Sequence, residues 1–117
     1  MRGDEKRIVD AFRKWLGSEG WRVKREIEFI DIFAERGQER LYAEAKGRTK
    51  AIGLDVDTLY GQLLRRMPSS EVGKARFGVV VPEEGRVAAL RVPPRVRSVL
   101  HIDVFVVDDK GRVQCVS

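Results

Sequence analysis

The sequence predicts a mixed α/β fold in which helices cover both faces of a central mixed sheet. Apolar side chains recur at helical spacing in residues 4–16 and 54–67. Residues 21–46 hold three short runs with the alternation of half-buried strands. Residues 75–82 and 102–107 are nearly continuous apolar runs, which are typical of strands covered on both faces. The predicted order is helix, three strands, helix, strand, helix, strand.

The first predicted helix covers residues 4–16. Its apolar face consists of Ile8, Val9, Phe12, Trp15 and Leu16. Asp4 is expected to be the N-cap, because an aspartate side chain accepts hydrogen bonds from the free amide groups at a helix start. Gly17 and Gly20 are expected to end this helix.

Three extended runs follow the first helix. They cover residues 21–28, 29–35 and 39–46, and each is short enough to be a single strand. A turn around Gly37 joins the second run to the third. Short connections of this kind predict that the three strands form an antiparallel meander.

The second half of the chain is predicted to alternate between helices and strands. The helix over residues 54–67 has an apolar stripe made of Val56, Leu59, Tyr60, Leu63 and Met67. The strands over residues 75–82 and 102–107 suit a parallel arrangement. Between them, residues 84–100 are expected to form one or two short helices broken at a pair of prolines, and residues 112–116 a final hairpin strand.

Composition favours a single basic domain over residues 1–117. The net charge is +5 and the pI about 9.7, which favours nucleic acid as a partner and an anionic membrane surface as the second choice. Cys115 and His101 are the only residues of their types, which excludes an intrachain disulfide and zinc sites built from several cysteines or histidines. There is no apolar run of membrane-spanning length, and the charged first residues do not resemble a signal peptide, so a cytoplasmic location is expected.

One group of charged side chains indicates chemistry. Glu44 and Lys46 are two residues apart in a predicted strand, so they project from the same face. Asp31 lies on the preceding strand, and pairing about Gly37 brings it level with residues 43–45. The alternative is a surface strand with an ordinary ion pair. The apolar neighbours of Asp31 favour a functional role, because a lone buried aspartate is unfavourable.

Two carboxylates and an ammonium group in one place suit phosphodiester hydrolysis. A divalent cation held by carboxylates neutralises the phosphate and lowers the pKa of its bound water. Mg²⁺ is expected, with Mn²⁺ able to substitute, because Mg²⁺ binds one or two carboxylates and completes its shell with water and phosphate oxygens. Lys46 is expected to stabilise the developing negative charge or to orient the attacking water.

These residues resemble the motif of the PD-(D/E)xK, or restriction-endonuclease-like, nuclease superfamily. Small Holliday-junction resolvases and restriction-type nucleases are the members most similar in size. The resemblance implies an αβββαβ core, with Asp31, Glu44 and Lys46 as the catalytic residues. It also implies that the backbone carbonyl of Ala45 binds the metal together with the two acids. Ile30 stands where the motif has proline, a position that varies within the superfamily.

Four further residues are candidates for the same site. By resemblance of residues 5–9 to the first-helix motif, Glu5 would be an outer metal ligand; otherwise it is a helix N-terminal acid favoured by the helix dipole. Gln62 is expected to reach the site from the second helix, with a polar boundary residue as the alternative. Arg48 and Lys50 are expected to contact phosphates, or else to form an exposed basic loop.

Other side chains are expected to lie outside the site. Arg65 and Arg66 fall off the apolar stripe and are expected to face solvent or DNA. Arg91, Arg95 and Arg97 are expected to form a solvated basic cluster. The core is expected to include Trp15, Trp21, Phe77 and Phe105.

The sequence therefore predicts a Mg²⁺-dependent endonuclease that acts on duplex or branched DNA. Two alternatives stay open: a catalytically inactive nucleic-acid-binding or assembly module with the same fold, and a plain structural domain whose basic charge serves solubility. A domain this small has little surface with which to grip both strands of a duplex, so a homodimer is expected.

Overall fold

The structure is a computed structural model that describes residues 2–24 and 30–117, with side chains from Asp4 onwards. Within those residues it contains four α-helices and six strands, with short 3-10 helices at Ser69–Glu71 and Glu83–Gly85. In chain order they are α1 (Arg2–Ser18), β1 (Arg22–Lys24), β2 (Ile32–Arg36), β3 (Glu39–Ala45), α2 (Ile52–Arg66), β4 (Arg76–Pro82), α3 (Arg86–Ala89), α4 (Pro94–Val99), β5 (Ile102–Val107) and β6 (Val113–Cys115). The predicted strands over 21–28 and 29–35 both extend into residues 25–29, which lie outside the described residues.

The strands form one mixed sheet in which each strand pairs with its neighbour in sequence. The order is β1-β2-β3-β4-β5-β6. The first three strands form the predicted antiparallel meander. Strands β3, β4 and β5 are parallel, and β6 returns antiparallel to β5. The predicted mixed α/β fold is confirmed.

Helices cover both faces of the sheet, and each face has its own core. Helix α1 packs on one face, where Ile8, Phe12 and Leu16 are fully buried against the sheet. Helix α2 packs on the other face with its buried stripe of Val56, Leu59, Tyr60 and Leu63. Strand β3 follows the period of two, because Ala43 and Ala45 belong to the α1 core while Tyr42 packs on the α2 core. Glu44 therefore points to the α2 face.

The start of α1 differs from the prediction. The helix begins at Arg2, so Asp4 lies inside its first turn and is not the N-cap. The Asp4 carboxylate instead accepts a hydrogen bond from Arg7 Nε at 3.1 Å and another from the backbone N–H of Arg48. Asp4 thus ties the loop after β3 to the beginning of α1, a tertiary contact that helix propensity does not reveal.

The end of α1 has the hydrogen bonds of a Schellman motif. Gly20 has φ of 86° and donates its N–H to Gly17 O at 3.2 Å, while Trp21 donates to Leu16 O at 2.9 Å. Gly20 therefore ends the helix as predicted. The prediction that Gly17 ends it as well is wrong, because Gly17 lies within the last turn.

The predicted aromatic core is confirmed in part, and one predicted surface residue is buried. Trp21, Phe77 and Phe105 are buried, whereas Trp15 is only partly buried at the edge of the α1 core. Arg97 is 3% exposed, so its predicted place in a solvated cluster is wrong. Its Nε donates to Val92 O at 2.9 Å, and Nη1 donates to the Ser117 hydroxyl. These partners satisfy the buried guanidinium.

No helix within residues 2–24 and 30–117 is both long and apolar enough to cross a membrane.

Candidate active site

Asp31 and Glu44 lie opposite each other where the β2–β3 ladder ends. The last backbone pair joins Ile32 to Ala43, so the same register places Asp31 level with Glu44. The Asp31 N–H donates to Glu44 Oε2 at 2.8 Å, and the Ala45 N–H donates to Asp31 Oδ2 at 3.0 Å. Each acid thus accepts a backbone amide of the opposite strand, and the two carboxylates share one small region.

The Ala45 carbonyl points toward the Asp31 side of β3. The N–H of Lys46 donates to Val80 O on β4 at 3.0 Å. The peptide bond between Ala45 and Lys46 is trans, so its carbonyl points opposite to its N–H and away from β4. The Ala45 carbonyl therefore points to the side of β3 on which Asp31 Oδ2 accepts the Ala45 N–H.

Glu44 is fully buried, and its carboxylate accepts hydrogen bonds from two elements. Oε2 accepts the Asp31 N–H, and Oε1 forms an ion pair with Arg66 Nη1 at the end of α2. Burial raises the pKa of Glu44, and the negative charge of Asp31 raises it further, while the bonds from the Asp31 amide and Arg66 oppose the increase.

Arg66 is the site residue that sequence reasoning missed. Its side chain is partly exposed, as expected of a residue facing solvent or DNA, but its guanidinium also pairs with buried Glu44, a contact that the expectation did not include. The signal lay in the helical spacing, since Leu59, Leu63 and Arg66 stand at i, i+4 and i+7 on α2. Arg66 is therefore at the margin of the buried stripe, from which a long side chain can reach the sheet. Arg65 is exposed, in agreement with the prediction.

The Glu44 environment gives a prediction for the pH dependence of stability. The folded pKa of Glu44 lies above its ordinary value of 4.5, so its contribution to the free energy of unfolding is complete below pH 4.5 and is lost as pH rises through the folded pKa. Glu44→Gln removes this titration. In metal-free buffer we therefore expect the variant to gain stability relative to wild type as pH rises above 4.5.

Glu71→Gln is the matched control, with the opposite sign. Arg40 Nη2 donates to Glu71 Oε1 at 2.9 Å and, with Tyr42, holds the pKa of Glu71 below its ordinary value. This variant should be less stable than wild type by a constant amount above pH 4.5, and the difference should shrink as pH falls through the folded pKa of Glu71. Urea unfolding at several pH values measures the free energy of unfolding of each protein. If the difference between Glu44→Gln and wild type is the same at every pH, the prediction is contradicted.

Lys46 and the loop that follows it connect the site to α1. Lys46 is the first residue after β3, and its side chain is partly exposed. Gly47 packs against the first turn of α1, where a Cβ atom would meet Glu5 N at 2.4 Å. Arg48 is exposed and pairs with Glu84 Oε2 at 2.8 Å, and Lys50 is exposed as well. The loop thus carries basic side chains directly after the strand that holds Glu44.

The two remaining candidates lie on different helices, Gln62 on α2 and Glu5 in the first turn of α1. Gln62 is partly exposed and stands one helical turn before Arg66, on the same side of α2. Glu5 is partly buried at the start of α1, where its backbone lies against Gly47. Across residues 2–24 and 30–117, no three His, Cys, Asp or Glu side chains lie together as a group that could hold a metal ion. Glu5 therefore does not complete such a group with Asp31 and Glu44.

The donors that are present match the preferences of Mg²⁺. Asp31 and Glu44 supply two carboxylates, and the carbonyl of Ala45 is directed to the same side of β3. Mg²⁺ needs only one or two carboxylates from a protein when water and substrate phosphate complete its shell. A cation there would also relieve the cost of holding Glu44 buried beside a second negative charge.

Comparison with known proteins identifies solved structures with a similar fold. No protein-family model and no curated protein sequence matches the chain. The crystal structure of a FdxN element excision controlling factor protein from Anabaena variabilis has a TM-score of 0.68 at 17% identity, over 96% of this chain and 99% of that one. A XisH family protein from Nostoc punctiforme has a TM-score of 0.61 at 18% identity, over 95% of this chain and 99% of that one. At these identities the similarity establishes the fold alone.

Proposed function

We propose that this chain is a Mg²⁺-dependent endonuclease that hydrolyses phosphodiester bonds of duplex or branched DNA. The observation that carries the proposal is the reciprocal hydrogen bonding of Asp31 and Glu44, which holds two carboxylates together at one end of the meander. The resemblance to the PD-(D/E)xK superfamily is part of the same proposal. The confirmed mixed α/β fold is compatible with it.

Each residue has a distinct part in the proposed reaction. Asp31, Glu44 and the Ala45 carbonyl hold the metal, which when bound lowers the pKa of water and polarises the phosphate. Lys46 directly follows β3, and its N–H still pairs with Val80 O. In the proposal its side chain therefore keeps the alternation that puts it on the Glu44 side of the sheet, where its ammonium group stabilises the developing charge on phosphorus oxygens. In the proposal, Arg48, Lys50 and Gln62 contact the DNA on either side of the cut bond.

The partners belong to the proposal as well. The net charge of +5 favours a polyanion, and DNA is the polyanion that the proposed chemistry requires. One structural neighbour is named for control of element excision, and the proposal agrees with that name. A cytoplasmic location and a homodimer that presents two sites to two strands complete it.

The proposal is tested by incubating the protein with supercoiled plasmid and with a synthetic four-way junction. Each substrate is incubated with Mg²⁺, with Mn²⁺ and with excess EDTA. Cleavage of either substrate that requires the metal supports the proposal. If circular dichroism shows that the protein is folded and both substrates stay intact under every condition, the proposal is contradicted.

Lys46→Met separates chemistry from metal binding. We expect the rate of metal-dependent cleavage at saturating DNA to fall about 100-fold, because the lost ammonium group acts mainly on the transition state. The affinity for Mn²⁺ should stay within about twofold, because Lys46 is not among the metal ligands. Lys14→Met, at an exposed position of α1, is the control for loss of charge. If Lys46→Met cleaves DNA at the wild-type rate, Lys46 has no role in the mechanism.

A specific observation favours a second candidate, the catalytically inactive nucleic-acid-binding module. Arg66 already neutralises Glu44, and the described residues contain no group of three metal-ligating side chains. This candidate predicts that the protein binds duplex or junction DNA with a steep dependence on salt and never cuts it. Failure to bind any nucleic acid at low salt would favour a structural domain instead.

A further inference from the structure

The ion pair between Arg66 and Glu44 joins a partly solvent-exposed arginine to a fully buried glutamate. Glu44 is 0% exposed, whereas the Arg66 side chain is 34% exposed at the last residue of α2. The guanidinium therefore approaches the buried carboxylate from the solvent side and is not enclosed with it. Breaking this contact needs a rotation of one partly exposed side chain and no rearrangement of the core.

The charges near Glu44 indicate competition between Arg66 and a metal ion. Two carboxylates, those of Asp31 and Glu44, lie together, and Arg66 supplies one positive charge at Glu44 Oε1. The Asp31 amide occupies the other oxygen of Glu44. A divalent cation that binds both acids would lie close to the guanidinium at the same carboxylate, and two positive charges so close together repel each other strongly in a buried site.

We infer that Arg66 is an internal counter-ion that occupies the metal-binding face of Glu44 until metal and DNA arrive together. This inference rests on the proposed function. On metal binding, Arg66 leaves Glu44 and its guanidinium becomes free to bind a DNA phosphate, whose oxygens match the paired donors of arginine. Arg66 is thus a positioning residue, which acts on the reaction through Glu44 and the substrate.

The inference has a thermodynamic consequence that an ordinary structural ion pair would not have. If a phosphate holds Arg66 away from Glu44, then DNA raises the affinity for the metal, and by reciprocity the metal raises the affinity for DNA. Removing the guanidinium should raise the affinity for metal in the absence of DNA. It should also reduce the further gain that DNA provides.

The test measures Mn²⁺ affinity by electron paramagnetic resonance in wild type, Arg66→Gln and the control Arg65→Gln, which removes an exposed arginine one residue away. Each protein is titrated alone and with a fully phosphorothioate duplex, which resists hydrolysis. We expect Arg66→Gln to bind Mn²⁺ about tenfold more tightly than wild type without DNA. We expect Arg65→Gln to stay within about twofold of wild type, and the effect of DNA on Mn²⁺ affinity to be smaller in Arg66→Gln.

Failure of this inference can be distinguished from failure of the proposed function. If Asp31→Asn abolishes Mn²⁺ binding but Arg66→Gln and Arg65→Gln bind Mn²⁺ equally well, the metal site stands and the counter-ion role is overturned. If neither wild type nor Arg66→Gln binds Mn²⁺, both proposals are overturned.

A second measurement covers the case in which Arg66→Gln fails to fold. In wild-type protein labelled with ¹⁵N-arginine, the Nη signals of Arg66 should change as Mg²⁺ is added, because the ion pair with Glu44 is lost. The signals are assigned by their absence from the spectrum of Arg66→Lys. Signals that stay unchanged while Mg²⁺ binds would overturn the counter-ion role.

Discussion

Asp31→Asn is expected to lower the rate of Mg²⁺-dependent DNA cleavage by about 10³-fold or more. The substitution removes one of the two carboxylates that hold the metal, and a catalytic metal contributes several kcal/mol, at about 1.4 kcal/mol for each tenfold in rate. The asparagine keeps a side-chain oxygen that can accept the Ala45 amide, as Asp31 Oδ2 does at 3.0 Å. The fold should therefore be retained, and the lower cleavage rate should come from the lost metal ligand and not from unfolding.

Initial rates of plasmid nicking, together with thermal unfolding of each protein, check this expectation. Asp57→Asn is the control, because Asp57 is an exposed acid on α2 and its loss changes the net charge by the same amount. Cleavage by Asp31→Asn within about tenfold of wild type would place the metal elsewhere, given what a catalytic metal contributes.

Gly47→Ala is expected to lower the free energy of unfolding by about 3 kcal/mol, the scale of overpacking in a close contact. A Cβ atom at this position would lie 2.4 Å from Glu5 N and 2.8 Å from the carbonyl carbon of Asp4. Both are backbone atoms of the first turn of α1, so the helix start itself has to move. The movement would also disturb the hydrogen bond between the Asp4 carboxylate and the Arg48 amide.

Urea unfolding of Gly47→Ala and of the control Gly17→Ala measures this effect. Gly17 lies inside α1, and a Cβ atom added there would have no neighbour within 4 Å, so alanine should stabilise the protein by up to about 1 kcal/mol. Equal stability of the two variants would show that α1 and the loop after β3 are not held in close contact.

The alternation of side chains in the meander predicted the most consequential part of the site. Residues 29–46 place a glycine turn between two strands, and antiparallel pairing about Gly37 puts Asp31 level with Glu44. The structure has this register, with Ile32 paired to Ala43. Local pattern was sufficient here because the two strands are neighbours in the chain.

Contacts between distant parts of the chain could not be predicted in the same way. Arg66 reaches Glu44 only because α2 packs on the face of β3 to which Glu44 points. Arg97 is buried because Val92 O and the Ser117 hydroxyl accept its hydrogen bonds. The prediction that Asp4 is a helix cap rests on its neighbours in sequence alone. Its partner is the backbone N–H of Arg48, which is 44 residues away in the chain and could not be predicted in that way.

The strictly sequential order of the strands has a consequence for how the protein assembles. Asp31 and Glu44 are 13 residues apart, so one hairpin is enough to bring both acids together. Closing a loop of that length costs little chain entropy, and such local units form early in folding. Arg66 arrives only when α2 docks. The two negative charges therefore meet on the folding pathway before their cation does, and the docking of α2 is the step that supplies it.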